Sequence, residues 1–408
     1  MLFKRAYSLA GLGGLALVGG VLGKIETFLG YVQLSDNLDI DKTEWGKYTH
    51  INLAFGIPQE DGSITFEQNK TLEKAVSKIH ESNAKAIMSL GGYAGSMHFS
   101  TLVADEERAK TFREKTFEMM EKYKLDGADF DWEFPGRNAC SLNKVDEAAD
   151  TSKFASFLDT FKKEMTAKFG EGQKLMTAAV RVEPFDEGGK PMKDVKQFAE
   201  VFDYILVMAY DINGGWLNVS GPNAPMRFET GKGAQFSLET AIGNWTEAGF
   251  PANKLLAGMP YYCRSSTLSA EPEPATNQYQ PQSSDPPMGD REDRVAVDPC
   301  AGESAKNASS GVWRYKHLRE AAEGDPRGQV LREAEVPGDG WEYQYQDPTQ
   351  TVTMLHRQDK IIMSCDNPRS LKAKAQFAKE KGLRGVGIWS LEMDFNNELA
   401  DAIIEGWG

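Results

Sequence analysis

Eight short apolar runs punctuate the chain, and most of the gaps between them carry helical spacing of apolar residues. The runs fall at 27–33, 49–57, 84–92, 125–134, 174–182, 203–211, 254–262 and 383–391. Helical patterns occupy 67–82, 102–123, 151–168, 192–201, 235–248 and 369–381. A strand needs its neighbours on both sides, and parallel neighbours need a crossover helix to join them. Eight such units in one chain therefore predict a closed (β/α)8 TIM barrel. The rhythm breaks once, after the seventh run. From 265 to 359 the chain is rich in Pro, Ser and acidic residues and then carries "GVWRYKHL" and "WEYQYQD". A structureless linker of that length does not suit a compact domain, so this stretch reads as a small inserted α+β domain. The barrel itself is expected to span 24–408.

The fourth run holds the most concentrated chemistry. In "DGADFDWEF" (126–134), Asp129, Asp131 and Glu133 alternate with Phe130 and Trp132. Period-2 alternation puts three carboxylates on one face of a strand and two aromatics on the other. Successive acids then stand roughly 6.6 Å apart, at about 3.3 Å of rise per residue. Two charges at that distance repel by about 2.5 kcal/mol at an effective dielectric near 20. One carboxyl is thereby held protonated next to an anion, which is the arrangement that acid catalysis uses. A solvated acidic loop has no need of this alternation.

Barrels of this kind build their sites at the C-terminal ends of the strands. Glu133 closes the fourth run, Tyr210 and Asp211 the sixth, Tyr262 and Arg264 the seventh, and Trp389 the eighth. Alone, Tyr210 or Trp389 reads as core and Arg264 as a surface ion-pair partner. Together they converge on one cleft.

The formal net charge of -14 argues against nucleic acid and anionic membranes as partners, since both need clustered Lys and Arg. A neutral ligand suits the chain better. Residues 1–23 combine Lys4 and Arg5 with an apolar run and a small residue at Gly23, the pattern of a secretory signal peptide, with an uncleaved anchor as the alternative. No span is expected in the mature chain, which is expected to be a secreted, extracellular monomer. Cys140, Cys263, Cys300 and Cys365 allow two disulfides in three connectivities. Sequons stand at Asn69, Asn218, Asn244 and Asn307. The five histidines are scattered and the acidic run lacks the glycine of a calcium loop, so neither a metal nor any other cofactor is expected.

With these residues in view, the chain resembles glycoside hydrolase family 18, the chitinases, over nearly all of its mature length. The signature Asp-x-x-Asp-x-Asp-x-Glu with Gly second is met by Asp126, Gly127, Asp129, Asp131 and Glu133. "SLGG" (Ser89, Gly91, Gly92) is similar to the family's third-strand motif, "MAYD" (208–211) to its sixth and "GIWSLEMD" to its eighth. The resemblance implies hydrolysis of β-1,4 N-acetylglucosamine linkages in chitin or chitooligosaccharides. It implies Glu133 as general acid, Asp131 holding the sugar acetamido N–H, Asp129 sharing a proton behind it, and Tyr210 hydrogen-bonding the acetamido oxygen. Asp211 would line the same subsite and Trp389 would form its floor. Tyr31, Phe55, Tyr93, Met208, Tyr262 and Arg264 match cleft-lining positions.

In this family the substrate's own acetamido oxygen displaces the leaving group, so one protein acid suffices. Three positions depart from the family's pattern. Cys263 stands where Gly is usual and Cys365 where Tyr is common, which suggests a local disulfide, and Tyr93 replaces a common Trp. Two other readings share the scaffold: an endo-β-N-acetylglucosaminidase acting on N-glycans, and a chitin-binding lectin, a class that usually lacks the acid present here as Glu133.

Overall fold

A computed structural model of the protein describes residues 24–35, 38–66, 69–293, 300, 309–320 and 327–408. The leader expected at 1–23 and the sequon at Asn307 lie outside the described residues. Eight parallel strands form the framework: β1 (Thr27–Gln33), β2 (His50–Pro58), β3 (Lys85–Gly91), β4 (Gly127–Asp131), β5 (Leu175–Val180), β6 (Tyr204–Val207), β7 (Leu255–Pro260) and β8 (Gly385–Trp389). Each pairs with the next, and β1 pairs with both β2 and β8, so the sheet closes and has no free edge. This is the (β/α)8 TIM barrel that the alternation of runs predicts.

The helices α1 (Asn69–Glu81), α2 (Phe99–Ala104), α3 (Glu106–Lys122), α4 (Asp150–Phe169), α5 (Lys196–Val201) and α6 (Leu238–Glu247) precede the last barrel strand, α7 (Tyr315–Arg319) lies in the inserted segment, and α8 (Pro368–Glu380) and α9 (Glu398–Trp407) flank β8 in sequence. Outward side chains of the strands meet the helices. Phe130 of β4 packs edge-on against Phe161 of α4 with ring centroids 5.1 Å apart, and Trp132 stacks on Phe99 of α2 at 5.2 Å. Burying such side chains stabilises the fold by roughly 1.5–3 kcal/mol each. The aromatics of the acidic run thus do the packing.

The helical pattern at 102–123 is two helices, because Asp105 breaks it. Its backbone is extended and its carboxylate accepts from the Arg108 N–H at 3.1 Å, capping α3. The pattern expected from 192 starts only at Lys196, since the preceding residues include a short hairpin of Asp186–Glu187 with Lys190–Pro191.

Inside the barrel the two halves differ. Leu29, Tyr31, Ala54, Ala179, Tyr204, Leu206 and Leu256 form a separate buried cluster, joined by Phe55, Met208 and Trp389. Asn52, Ser89, Asp129, Asp131 and Thr177 form a buried polar counterpart.

Directly after β7 the chain builds a five-stranded antiparallel sheet in the order Val312–Arg314, Tyr262–Thr267, Ile361–Cys365, Thr351–His356, Trp341–Gln346. Its second and third strands are joined by the Cys263–Cys365 disulfide, beside the Arg264–Ser364 register pair. The other disulfide, Cys140–Cys300, ties the loop that follows β4 to the inserted segment. No helix among the described residues is long and apolar enough to cross a membrane.

Candidate active site

The acidic run leaves its strand sooner than the alternation suggests. β4 ends at Asp131, and Glu133 lies in the turn beyond it. The placement of Glu133 is fixed by backbone contacts with residues from two loops. Ser96 Oγ accepts from the Glu133 N–H at 2.9 Å while donating to the Gly92 carbonyl at 2.8 Å and standing 3.2 Å from the Asp131 carbonyl. Asn143 Nδ2 donates to the Glu133 carbonyl at 2.8 Å. Ser96 and Asn143 carry no signal in the sequence, because they act through chain approach and not through local pattern. The glycine pair has a clear reason. Both have positive φ, and a Cβ on Gly91 would lie 2.4 Å from the Asp131 carbonyl oxygen, one on Gly92 2.7 Å from the Phe55 ring.

Asp129 sits fully buried at the bottom of the site. Its Oδ2 accepts from Tyr31 Oη and Ser89 Oγ, both at 2.8 Å, and its Oδ1 from Thr177 Oγ1 at 2.6 Å. Burial raises its proton affinity, and these three donors pull the other way. Asp131 is also buried, and its Oδ1 has no hydrogen-bond partner. Burial first, then the charges of Glu133 and Asp129, raise its pKa well above the usual carboxylate range. Glu133 is half-buried, and loss of hydration with the nearby Asp211 charge pushes it up to about 8. The repulsion foreseen from the spacing is present, and burial is the larger cause.

Asp211 belongs to a different set of contacts. Arg264 grips it with two hydrogen bonds, Nε to Oδ1 and Nη2 to Oδ2, both at 2.8 Å, and Tyr262 Oη donates to Oδ1 at 2.7 Å. Against the upward push of burial, the Arg264 charge holds this carboxyl below its ordinary value. Asp211 has positive φ, and Asn223 Oδ1 accepts from its N–H at 3.1 Å. Tyr210 stands edge-on to Tyr262 with ring centroids 6.2 Å apart. Burial, then the Asp131 and Glu133 charges, raise its pKa well above 10, so the phenol keeps its proton.

Trp389 stacks on Phe55 with ring centroids 5.5 Å apart and stands 5.7 Å from Tyr31. Met208 packs with the same group. Of the residues singled out in the sequence, Tyr93 stands furthest out: it is 44% exposed on the rim and its hydroxyl is 3.4 Å from the Ala139 carbonyl. One exposed aromatic escaped the sequence reading. Trp216, in the loop after β6, is 56% exposed, and the Arg264 guanidinium lies 5.5 Å from its ring centroid. Its nearness in sequence to "MAYD" was the available signal. Among the described residues no group of three or more His, Cys, Asp or Glu side chains is arranged to hold a metal ion.

The chain has relatives among known proteins. The family model described as glycosyl hydrolases family 18 matches residues 27–394. A "chitinase-like effector" of Moniliophthora roreri is 32% identical over 393 residues, covering 92% of this chain and 90% of that protein. Chitotriosidase-1 of Mus musculus is 29% identical, covering 85% of this chain and 67% of its own length. Among solved structures, a chitinase from Rhizomucor miehei superposes with a TM-score of 0.83 at 28% identity, covering 93% of this chain and 99% of that one.

Proposed function

The chain belongs to glycoside hydrolase family 18, and from that membership we propose that it hydrolyses β-1,4 N-acetylglucosamine linkages in chitin and its oligomers with retention of configuration. The observation that carries this reading is the run of three carboxyls whose surroundings differ: Asp129 held by three donors, Asp131 buried without a partner on one oxygen, and Glu133 protonated up to about pH 8.

In the proposed reaction Glu133 gives its proton to the glycosidic oxygen as the C1–O bond breaks. The acetamido oxygen of the same sugar closes on C1, forming an oxazolinium ion. With the shared proton on Asp129, Asp131 is the anion that accepts the acetamido N–H and offsets the positive charge, while Tyr210, a neutral phenol, donates to the acetamido oxygen. Water then attacks C1 and loses its proton to the Glu133 carboxylate. Two displacements at one carbon restore the β-configuration. Trp389 and Phe55 supply a flat apolar floor for the sugar ring. Asp211, Tyr262 and Arg264 form the polar wall, and Tyr31, Met208 and Tyr93 complete the lining. We read the protein as a secreted monomer with a cleavable leader at 1–23; two disulfides and no free cysteine among the described residues support the secreted part of that reading.

The similarity to a "chitinase-like effector" motivates a second reading, in which the cleft holds chitin oligomers without cutting them. One experiment separates the two. Purified protein is incubated with N-acetylglucosamine hexamer and followed by proton NMR. Turnover with β-anomer as the initial product is expected, falling about 10²- to 10⁴-fold in Glu133→Gln. Binding without turnover in the wild type would favour the second reading, and an intact hexamer together with N-glycan release from a glycoprotein incubated in parallel would favour the endo-glycosidase alternative.

A further inference from the structure

Asn52 presents a problem that the proposed reaction leaves unsolved. It is fully buried inside the barrel, and neither its Nδ2 nor its Oδ1 has a hydrogen-bond partner. A buried amide left without a protein partner of normal geometry at both ends is costly, typically about 1–3 kcal/mol for each group. Apolar side chains fill a neighbouring cluster of the barrel interior, Leu29, Ala54, Leu206 and Leu256 among them.

Its position shows what it faces. Asn52 lies on β2, level with Tyr31 of β1 and Ile87 of β3. The Tyr31 hydroxyl reaches Asp129 from that level. Asn52 also approaches Asp129 closely enough to join Thr177, Ser89 and Tyr31 in drawing its pKa down, without making a hydrogen bond of normal geometry. The other groups around Asp129 are few. β1 contributes Tyr31, β3 Ser89, β4 Asp131 and β5 Thr177. From β6 come Tyr204, and beyond its end Tyr210, both protonated phenols. The Tyr204 hydroxyl is also unpartnered, its ring meets His50 of β2 edge-on at 5.6 Å, and Arg384 lies 5.5 Å from it. β7 presents Leu256 to the interior and β8 Trp389.

The three donors on Asp129 suit a carboxylate. A protonated Asp129 must donate, so one of these hydroxyls would have to turn and accept, giving up its own bond to the carboxylate. An amide serves both states, because its NH2 end donates and its C=O end accepts. We infer that Asn52 is a positioning residue that follows the proton shared by Asp129 and Asp131, donating to Asp129 when it is ionised and accepting from it when it is protonated. Since neither end of the amide is committed elsewhere, the exchange breaks no other bond. The proton itself stays within the carboxyl pair. The inference rests on the assignment of Asp131 and Asp129 to the reaction proposed above.

Asn52→Leu and Asn52→Val remove the amide, and Asn52→Thr restores a group that both donates and accepts. Two readouts are needed. The first is the pH profile of kcat/KM on the hexamer. The bond to the ionised form is charge-assisted and the stronger of the two, so losing the amide raises the affinity of Asp129 for its proton, and the acidic limb should move to higher pH by about one unit and return in Asn52→Thr. The second is an infrared titration of the protonated-carboxyl band in the resting protein, which requires no turnover; the band should persist to higher pH in the Leu and Val variants. Superimposable profiles and superimposable bands would overturn the inference. A wild type without turnover would count against the proposed function alone, and the infrared titration would still decide the role of Asn52.

Discussion

Glu133 is pushed toward its protonated form by burial and by the negative charge of Asp211, while Arg264 keeps Asp211 ionised. The sign of the pH dependence follows. A general acid works protonated, so activity is present below about pH 8 and is lost as pH rises through that value. Asp211→Asn takes away the second push, so the basic limb of kcat/KM should move to lower pH while the acidic limb stays; the paired profiles of wild type and variant are the check, and an unmoved basic limb would remove Asp211 from the account. At this scale the sequence was informative about the acids and silent about their supports. Spacing alone exposed Asp129, Asp131 and Glu133, because repulsion and alternation depend on separation along one strand. Ser96, Asn143 and Asn52 act across strands and loops, and no local periodicity marks them.

Elements were legible where their patterns were long and regular. Seven of the eight barrel strands lie within the runs read from the sequence and β2 passes the end of its run by one residue, at Pro58, yet β6 stops at Val207 although its run continues to 211, since the chain turns away before the positive φ of Asp211. The last helix, α9, was missed. It is only ten residues long and follows directly on a strand-end motif, but it buries Leu399, Ala400, Ile403 and Trp407 against the body of the protein. Its fit to α8 is close. A Cβ added to Gly406 would lie 2.4 Å from the Lys372 carbonyl oxygen, which is backbone and cannot move aside cheaply. Gly406→Val should therefore cost about 1–3 kcal/mol, read as a lower urea midpoint at unchanged slope. An unaltered midpoint would mean that the two helices separate more easily than their packing implies.

For the whole molecule, composition gave the sign of the surface and little about connectivity. A net charge of -14 argued against polyanionic partners, whereas four cysteines left three pairings open. The unusual residues at 263 and 365 pointed to one bond, and the fold supplies both: Cys140–Cys300 and Cys263–Cys365. The two bonds interleave along the chain. A peptide bond cut between 140 and 263 leaves the pieces joined through Cys140–Cys300, and one cut between 300 and 365 leaves them joined through Cys263–Cys365. Between 263 and 300 both bonds span the break. A protease nick anywhere in that stretch should thus yield one band on a non-reducing gel and separate fragments only after reduction; fragments parting without reductant would contradict the pairing. For a protein exposed to digestive enzymes, lifetime would then be governed by the second cleavage and not the first. A once-cut molecule would keep both sides of its cleft in register.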